Sequence, residues 1–579
     1  MDLALPADPA RHVDRPRPVD GVDHEHLARL VRGSRAQADA LLAAPAATVP
    51  AALPHRETMR RVRTLVLADA TSGEGGPAAS AAQALAGALL DHLDALQGPT
   101  GLFDGTNLVS PPDSAFTLND VCLVLEVVDR TGTGDRWGWA RQRLLTIAER
   151  AADGLRTGGV HTPNHRWELA SALAGLHHVL GDERLAARVD EWLAEGVDVD
   201  ADGFYSERSA IYASVVTNPS LLTIARLLDR PHLLEPVRAH LRTLPALVDD
   251  DGEVVTVHSR RQDQREVFHV ESYLSQLRRF AVTDGDGRLA RLALLAAAGE
   301  LPDPARHLAE AVVDPVVAQR LPPAVDAPDG TTAWPTVGLV RHRAGAVVST
   351  VFAGADTRDV GRVASGLSNS ATVLQVRAGG ARLRALRISP SFFDTGALRP
   401  RVERTGPGHL VLREDRASGY YQPLPAEHRR PGGDYPLTDE GRFFARMGFG
   451  ARPFDPVELS VRLDVDLDDD GARVQLVADG PRTRVAVELV LGDGQLTGTE
   501  AHPDEPGTRW LRGSTATLHH GDEALELHVE GHDDHVPPRF EDGEFFTYVH
   551  GEDRVPGQRV LLSAWSDSVV RIRVRALAP

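Results

Sequence analysis

Three side chains in one part of this sequence could together remove a proton from a carbon next to a carboxylate. Asn164 and His165 are adjacent, and Tyr212 ends the stretch 202–212. An amide and an imidazole can neutralise a carboxylate, which makes the neighbouring C–H bond more acidic. A phenol can donate a proton to a leaving oxygen and, as phenolate, can also accept one. The three residue types therefore indicate a candidate proton-transfer site.

The sequence before Asn164 predicts the start of a helix. Thr162 is a good N-cap and Pro163 suits the first helical position. Asn164 and His165 then lie in the first turn, where unpaired N–H groups and the helix dipole favour an anion. We expect these two residues to hold the carboxylate. Each also has an ordinary alternative, a residue that satisfies the helix terminus or a partly buried histidine.

A tyrosine base needs cations nearby because a free phenol titrates near about pH 10. His165, Arg208 and the stretch His258-Ser259-Arg260-Arg261 are the candidates in this region. Adjacent Arg260 and Arg261 suit bidentate binding of a carboxylate, although a solvated loop is the alternative. We expect them to contribute to substrate binding, with His258 as a further catalytic group.

The composition describes a folded protein with more than one domain. The chain has 579 residues, 42% of them hydrophobic, which exceeds the size of a single core. A net charge of −19 without a Lys/Arg cluster argues against nucleic acid and anionic membranes as partners. We predict neither a signal peptide nor a membrane span, and so expect a cytoplasmic location. Cys122 is predicted to be a core residue, no cofactor is expected, and a homo-oligomer stays open.

The spacing of apolar residues changes character near residues 310 to 330. Earlier, helical spacing predicts about ten helices, with roughly these bounds: 24–45, 78–97, 114–130, 137–153, 164–180, 183–195, 217–229, 232–247, 269–283 and 287–300. Later, alternating runs such as 459–465 predict antiparallel strands in two packed sheets. The sequence therefore predicts an arm (1–22), a helical domain (23–310), a linker (311–331) and a β-sandwich (332–579).

The order of elements and one motif resemble the heparinase II/III-like and related polysaccharide lyases. The motif is Asn164-His165 near a helix start, with Tyr212 in an Asp-Gly-…-Glu-x-Ser-x-x-Tyr stretch. The resemblance implies an α/α toroid joined to an antiparallel β-sandwich, and cleavage of uronate-containing glycans by β-elimination. In these lyases the catalytic tyrosine follows the Glu-x-Ser element, which selects Tyr212. Tyr205 competes for that role or for substrate binding, but a core or rim position is preferred for it.

One part of the sequence departs from the pattern of these lyases. Heparinase-like enzymes carry a histidine-rich segment before a strand of the first sheet, whereas residues 366–373 contain no histidine. His258 could replace the missing group. Tyr420 or Tyr421 could also do so, since some alginate-type relatives use a tyrosine of the β-domain. Both lie in a Gly/Pro/Tyr-rich segment, 415–455, that is long enough to be functional.

Residues 532–535 could form a metal site, because two histidines flank two aspartates there, with His528 and His550 nearby. Some heparinase-like enzymes hold a structural zinc in the β-domain. The spacing does not form a zinc-type framework, so a solvated acidic loop is preferred and no metal is expected.

Three classes of function follow. The first is a lyase acting on anionic uronate oligosaccharides, with exo action on short chains, in which Trp167 offers a stacking surface and Glu168 contacts the substrate. The second is a glycoside hydrolase with a carboxylate pair drawn from Glu168, Asp202, Glu207 and Asp120. The third is a non-catalytic glycan-binding protein.

Overall fold

The computed structural model describes residues 21–43, 49, 51–71, 77–104, 108–357, 367–406, 408–441, 443–542 and 554–577. The predicted N-terminal arm therefore lies almost wholly outside the described residues. Contacts divide the chain into a helical unit and a sandwich unit. The helical unit is Met1–Val199, Ile211–Gly252 and His269–Ala327, and the sandwich unit is Asp200–Ala210, Glu253–Phe268 and Pro328–Pro579. Two loops that the sequence placed in the helical domain thus group with the sandwich.

Fourteen α-helices occur in the described part of the chain: α1 (His24–Ala43), α2 (His55–Ala70), α3 (Pro77–Leu96), α4 (Pro111–Thr131), α5 (Gly134–Thr157), α6 (Pro163–Leu180), α7 (Glu183–Leu193), α8 (Ala210–Tyr212), α9 (Asn218–Leu227), α10 (Leu234–Leu241), α11 (Leu244–Leu247), α12 (Leu274–Asp284), α13 (Gly287–Ala298) and α14 (Pro304–Val313). A π-helical turn, Ala213–Thr217, joins α8 to α9. No described helix is both long enough and apolar enough to span a membrane.

The helical unit has an inner and an outer layer, as an α/α toroid requires. The helices α2, α4, α6 and α9 pack against one another in turn, and α14 packs against α2 and α4. Each inner helix also packs on a chain neighbour, for example α4 on α5 and α6 on α7. The sequence explains the layers, because α6 buries residues on all sides from Asn164 to Leu176, whereas α7 buries only Leu185 and Val189.

The described strands are β1 (Glu253–Val254), β2 (Phe268–His269), β3 (Gly330–Trp334), β4 (Leu339–Ala344), β5 (Val347–Phe352), β6 (Leu374–Ala378), β7 (Ala381–Pro390), β8 (Arg401–Gly406), β9 (His409–Tyr421), β10 (Thr438–Asp439), β11 (Phe444–Ala445), β12 (Phe454–Asp468), β13 (Gly471–Asp479), β14 (Arg484–Leu491), β15 (Gln495–Thr497), β16 (Glu500–Ala501), β17 (Arg509–Trp510), β18 (Thr515–His520), β19 (Glu523–Glu530), β20 (Gln558–Trp565) and β21 (Val570–Leu577).

Two large sheets form the sandwich. Their strand orders are β15-β18-β19-β21-β13-β12-β9-β8 and β16-β17-β20-β14-β7-β6-β5-β4-β3. Strand β12 buries every second residue from Leu459 to Leu467, and these side chains meet those of β7 in one core. The predicted β-sandwich is thereby confirmed, with one correction. The short β17 pairs with β20 in parallel, so the region is not wholly antiparallel.

Candidate active site

The N-terminus of α6 matches the sequence expectation. Thr162 is the N-cap, with extended backbone angles, and Pro163 begins the helix. The Thr162 side chain makes no capping hydrogen bond among the described residues, and the first turn contains no acidic residue. Backbone N–H groups at such an end are not satisfied within the helix, and the dipole is positive there. This end of α6 is therefore suited to an anion.

Asn164 and His165 occupy the first turn of α6, as predicted. Asn164 is buried, with 1% of its surface exposed, whereas His165 is half-buried. The His165 ring meets His161 edge-on, with 4.6 Å between centroids, and Phe116 at 6.3 Å. These two rings pack around the half-buried imidazole, and the neighbouring side chain of Asn164 is buried.

Arg56, in the first turn of α2, is a candidate residue that the sequence analysis missed. Its guanidinium lies 3.8 Å above the centre of the Phe116 ring and pairs with Asp113. Burial lowers the pKa of Arg56, and its attraction to Glu168 and Tyr212 opposes that shift. Arg56 therefore links Phe116, which packs on His165, with Tyr212. The sequence gives no signal of this role, because Arg56 is one of several charged residues near the start of α2.

Tyr212 is half-buried and lies immediately before the π-helical turn. Turns of this kind are rare and are found frequently at functional sites. A buried network fixes the turn, because Gln276 donates to the carbonyl of Ser214 at 2.5 Å and receives a hydrogen bond from Asn218 at 2.8 Å. The predicted proton carrier thus lies on a well-supported segment of the same unit as Asn164 and His165.

Glu168 lies one helical turn after Asn164 and is 5% exposed. The Asn119 side chain donates to its Oε1 at 2.7 Å, and Ser220 donates to its Oε2 at 3.4 Å. Burial raises the pKa of Glu168 to about 7, and the hydrogen bond from Asn119 opposes the shift. A substantial fraction of this carboxyl group is therefore protonated at neutral pH.

The predicted stacking role of Trp167 is wrong. The residue is 1% exposed, its indole N–H donates to Asp198 at 3.1 Å, and the Arg166 guanidinium lies 4.2 Å from its ring centre. A sugar stacks on an open ring face, and Trp167 offers none. Its aromatic character serves the packing of α6 against the segment before residue 200.

The predicted cationic residues of the sandwich unit bind protein groups. Arg260 contacts both carboxylate oxygens of Asp356, at 2.7 and 3.1 Å, and Arg261 lies 3.2 Å from Glu207. Arg208 has a left-handed backbone, with φ of 51°, and its guanidinium donates to two backbone carbonyls. These contacts tie the loops 200–210 and 253–268 to the sandwich, and a role in substrate binding stays a prediction.

The remaining predicted residues of the sandwich unit differ in exposure. Tyr205 and His258 are 5% and 3% exposed, and the His258 ring packs edge-on against Phe204. Tyr420 is 65% exposed, whereas the Tyr421 hydroxyl donates to Glu440 at 3.4 Å. Core packing was the preferred expectation for Tyr205, and its burial agrees with it.

The loop weighed as a metal site is held by hydrogen bonds. Asp533 pairs with Arg484 at 2.7 Å, and the His532 ring contacts the carbonyl of Arg512. In the described ranges no group of three or more His, Cys, Asp or Glu side chains could hold a metal ion. His550 lies outside the described residues.

Comparisons with solved structures agree with the fold. The chain is similar to heparan sulfate lyase HepC from Pedobacter heparinus, with a TM-score of 0.51, 13% identity, and coverage of 97% of this chain and 84% of that chain. It has the fold of polysaccharide lyases. The chondroitin AC lyase of Streptomyces coelicolor A3, solved with chondroitin sulphate, gives a TM-score of 0.50 at 15% identity, covering 97% and 80%. No protein-family profile and no curated protein matches the sequence. The resemblance to this lyase fold is confirmed, and the chemistry must be argued from residues.

Proposed function

We propose that this protein is a lyase that cleaves uronate-containing oligosaccharides by β-elimination. The observation that carries the proposal is the uncapped start of α6 with His165 in its first turn, which Phe116 joins to Arg56, and Arg56 is attracted to Tyr212. An anion site next to a phenol is what removal of a proton beside a carboxylate requires.

In the proposed reaction the substrate carboxylate binds His165, Asn164 and the first N–H groups of α6. Tyr212 as phenolate takes the proton from C5 of the uronate, and the electron pair forms the C4–C5 double bond. The C4–O bond breaks, and the phenol returns the proton to the leaving oxygen. Neutralising the carboxylate stabilises the enolate-like charge that develops at the transition state.

Arg56 supplies the cation that this mechanism needs near the phenolate. It is attracted to Tyr212, and its position is fixed by Asp113 and Phe116. Electrostatic stabilisation by a cation held in advance costs no reorganisation during the reaction. Arg56 is therefore proposed as a further cation in addition to His165, whereas Arg208 and Arg260 contact protein groups of the sandwich unit.

A hydrolase remains the second candidate, and one observation favours it. Glu168 has a pKa of about 7 through burial, which suits a general acid. A hydrolase also needs a second carboxylate facing the sugar. Asp120, which also affects Glu168 electrostatically, pairs with the buried Arg63. This pairing makes the lyase the better-supported proposal.

The test is the ultraviolet absorbance of an unsaturated uronate during incubation with a panel of uronate oligosaccharides. We expect absorbance to rise with the wild-type protein and to stay flat with Tyr212→Phe. Tyr273→Phe is the matched control, because Tyr273 is fully buried with its hydroxyl 3.2 Å from His240, and this variant should keep activity. Reducing sugar released without absorbance would contradict the lyase and favour the hydrolase. Product length tests the expected exo action.

A further inference from the structure

A cavity lies in the helical unit, on the side of α6 that runs from Glu168 to His178. Side chains of α4, α6, α9, α12 and α14 surround it, and its volume is about 100 Å³. Glu168 and Ser220 lie deep in it, at 5% and 3% exposure, and His178 is exposed at its rim. One water needs only about 10–15 Å³ measured in this way, so a small molecule fits.

The charges in the cavity wall are almost balanced. Three of the four carboxylates among its described residues each pair with an arginine: Glu126 with Arg226 at 2.6 and 2.9 Å, Glu310 with Arg306 at 2.8 Å, and Asp314 with Arg279 at 2.7 Å. Glu168 is the fourth. Within the described parts of the chain, its hydrogen-bond donors are the neutral side chains of Asn119 and Ser220. The ionised wall therefore carries one unbalanced negative charge.

The charged groups around Glu168 do not remove this imbalance. Arg306 and Arg56 attract its carboxylate from a distance, and Asp120 repels it. Burial outweighs these effects and raises the pKa of Glu168 to about 7. A cation placed against Glu168 would pair with it in a site of low dielectric, where pairing is stronger than in water.

The rest of the wall indicates an organic cation rather than a bare ion. The wall contains apolar side chains such as Leu123, Leu222 and Val313 together with the hydroxyl and amide groups of Ser171 and Gln276. Sites for small molecules combine an apolar surface with a few convergent polar groups. We propose that this cavity binds a small hydroxylated organic cation, an amino sugar or amino alcohol, whose ammonium group pairs with Glu168. The site is separate from the anion site at the start of α6.

Calorimetric titration of the full chain with glucamine tests the proposal, with sorbitol as the uncharged match. We expect glucamine to bind and sorbitol to bind at least about tenfold more weakly, which corresponds to 1.4 kcal/mol. Burial raises the pKa of Glu168 to about 7, so near neutral pH binding of an ammonium should release a fraction of a proton per ligand. Affinity should fall about 100-fold from pH 8 to pH 5, because the carboxyl becomes protonated.

Two variants distinguish a loss of ligand binding from a loss of folding. Glu168→Gln should abolish glucamine binding, whereas Glu183→Gln, an exposed carboxylate on α7, should leave it unchanged. Far-ultraviolet circular dichroism checks that both variants fold. If Glu168→Gln does not fold, the proton release of the wild-type protein still decides the question. Equal binding of sorbitol or the absence of proton release would overturn the proposal. Equal binding of potassium ions, titrated as potassium chloride in the same calorimetric experiment, would also overturn it. These readouts do not involve lyase activity, so they fail independently of the proposed function.

Discussion

Replacing Glu168 with glutamine should stabilise the protein at alkaline pH and much less at acid pH. Burial raises the pKa of Glu168 from 4.5 to about 7 in the folded state. The folded chain therefore binds more protons than the unfolded chain between these values, and stability falls as pH rises through that window. One pKa unit corresponds to about 1.36 kcal/mol. Ionisation of Glu168 therefore lowers the free energy of unfolding of the wild-type protein by about 3 kcal/mol above pH 7, and this effect vanishes below about pH 4.5.

Urea denaturation at pH 5 and pH 8 measures this effect as a difference between variant and wild type. Other titrating groups cancel in that difference, and glutamine retains the size of the side chain. We expect Glu168→Gln to gain about 2–3 kcal/mol relative to wild type on going from pH 5 to pH 8. Glu183→Gln, on the exposed surface of α7, should show no such gain. A difference that is equal at both pH values would refute the assignment of a buried, protonated carboxyl.

Three further predictions concern the helical unit. Arg56→Met should lower kcat on uronate oligosaccharides by about 100-fold or more, because it removes a cation near the developing charge. Arg60→Met, at an exposed position of α2, should leave kcat unchanged. Equal kcat values for the two variants would rule out the proposed role of Arg56. Arg63→Met should lower the free energy of unfolding, measured by urea denaturation, by about 3–5 kcal/mol, because Asp120 and Asp303 lose their buried partner. A loss below about 1 kcal/mol would contradict this prediction. Gly175→Ala should lower the free energy of unfolding by about 1–3 kcal/mol in the same assay, because a Cβ at residue 175 would lie 2.8 Å from the Cβ of Cys122. An unchanged urea midpoint would show that α4 and α6 can move apart to accept the methyl group.

The sequence predicted elements wherever burial followed the apolar pattern. The start of α6 at Pro163 and the alternation along β12 are confirmed for this reason. The helices α2 and α14 were missed. Arg63 of α2 is 2% exposed because it pairs with Asp120 and Asp303, so a charged position faces the core. A helix that buries charge by pairing has no clean amphipathic pattern, and only the fold reveals the partners.

The candidate site was predictable only where one short segment supplies it. Asn164 and His165 are adjacent, so their place at a helix start follows from local rules. The contribution of Arg56 depends on packing between distant helices, which no local pattern records. Trp167 shows the reverse failure. An aromatic residue next to a candidate site suggests a sugar platform, but its burial is decided by α6 being an inner helix.

Only one of the two proposals for the helical unit draws on the polarity of α6. Its first turn, with Asn164 and His165, lies at the positive end of the helix dipole, where an anion gains about 0.3–1 kcal/mol. The cavity extends from Glu168 towards the last turn, which contains His178 and lies at the negative end. The ammonium, however, is proposed to pair with Glu168, the sixth residue of α6, which lies nearer to the positive end than to the negative end. The direction of α6 therefore argues against an ammonium at His165, whereas the ammonium in the cavity depends on the unbalanced charge of Glu168 and not on the helix dipole.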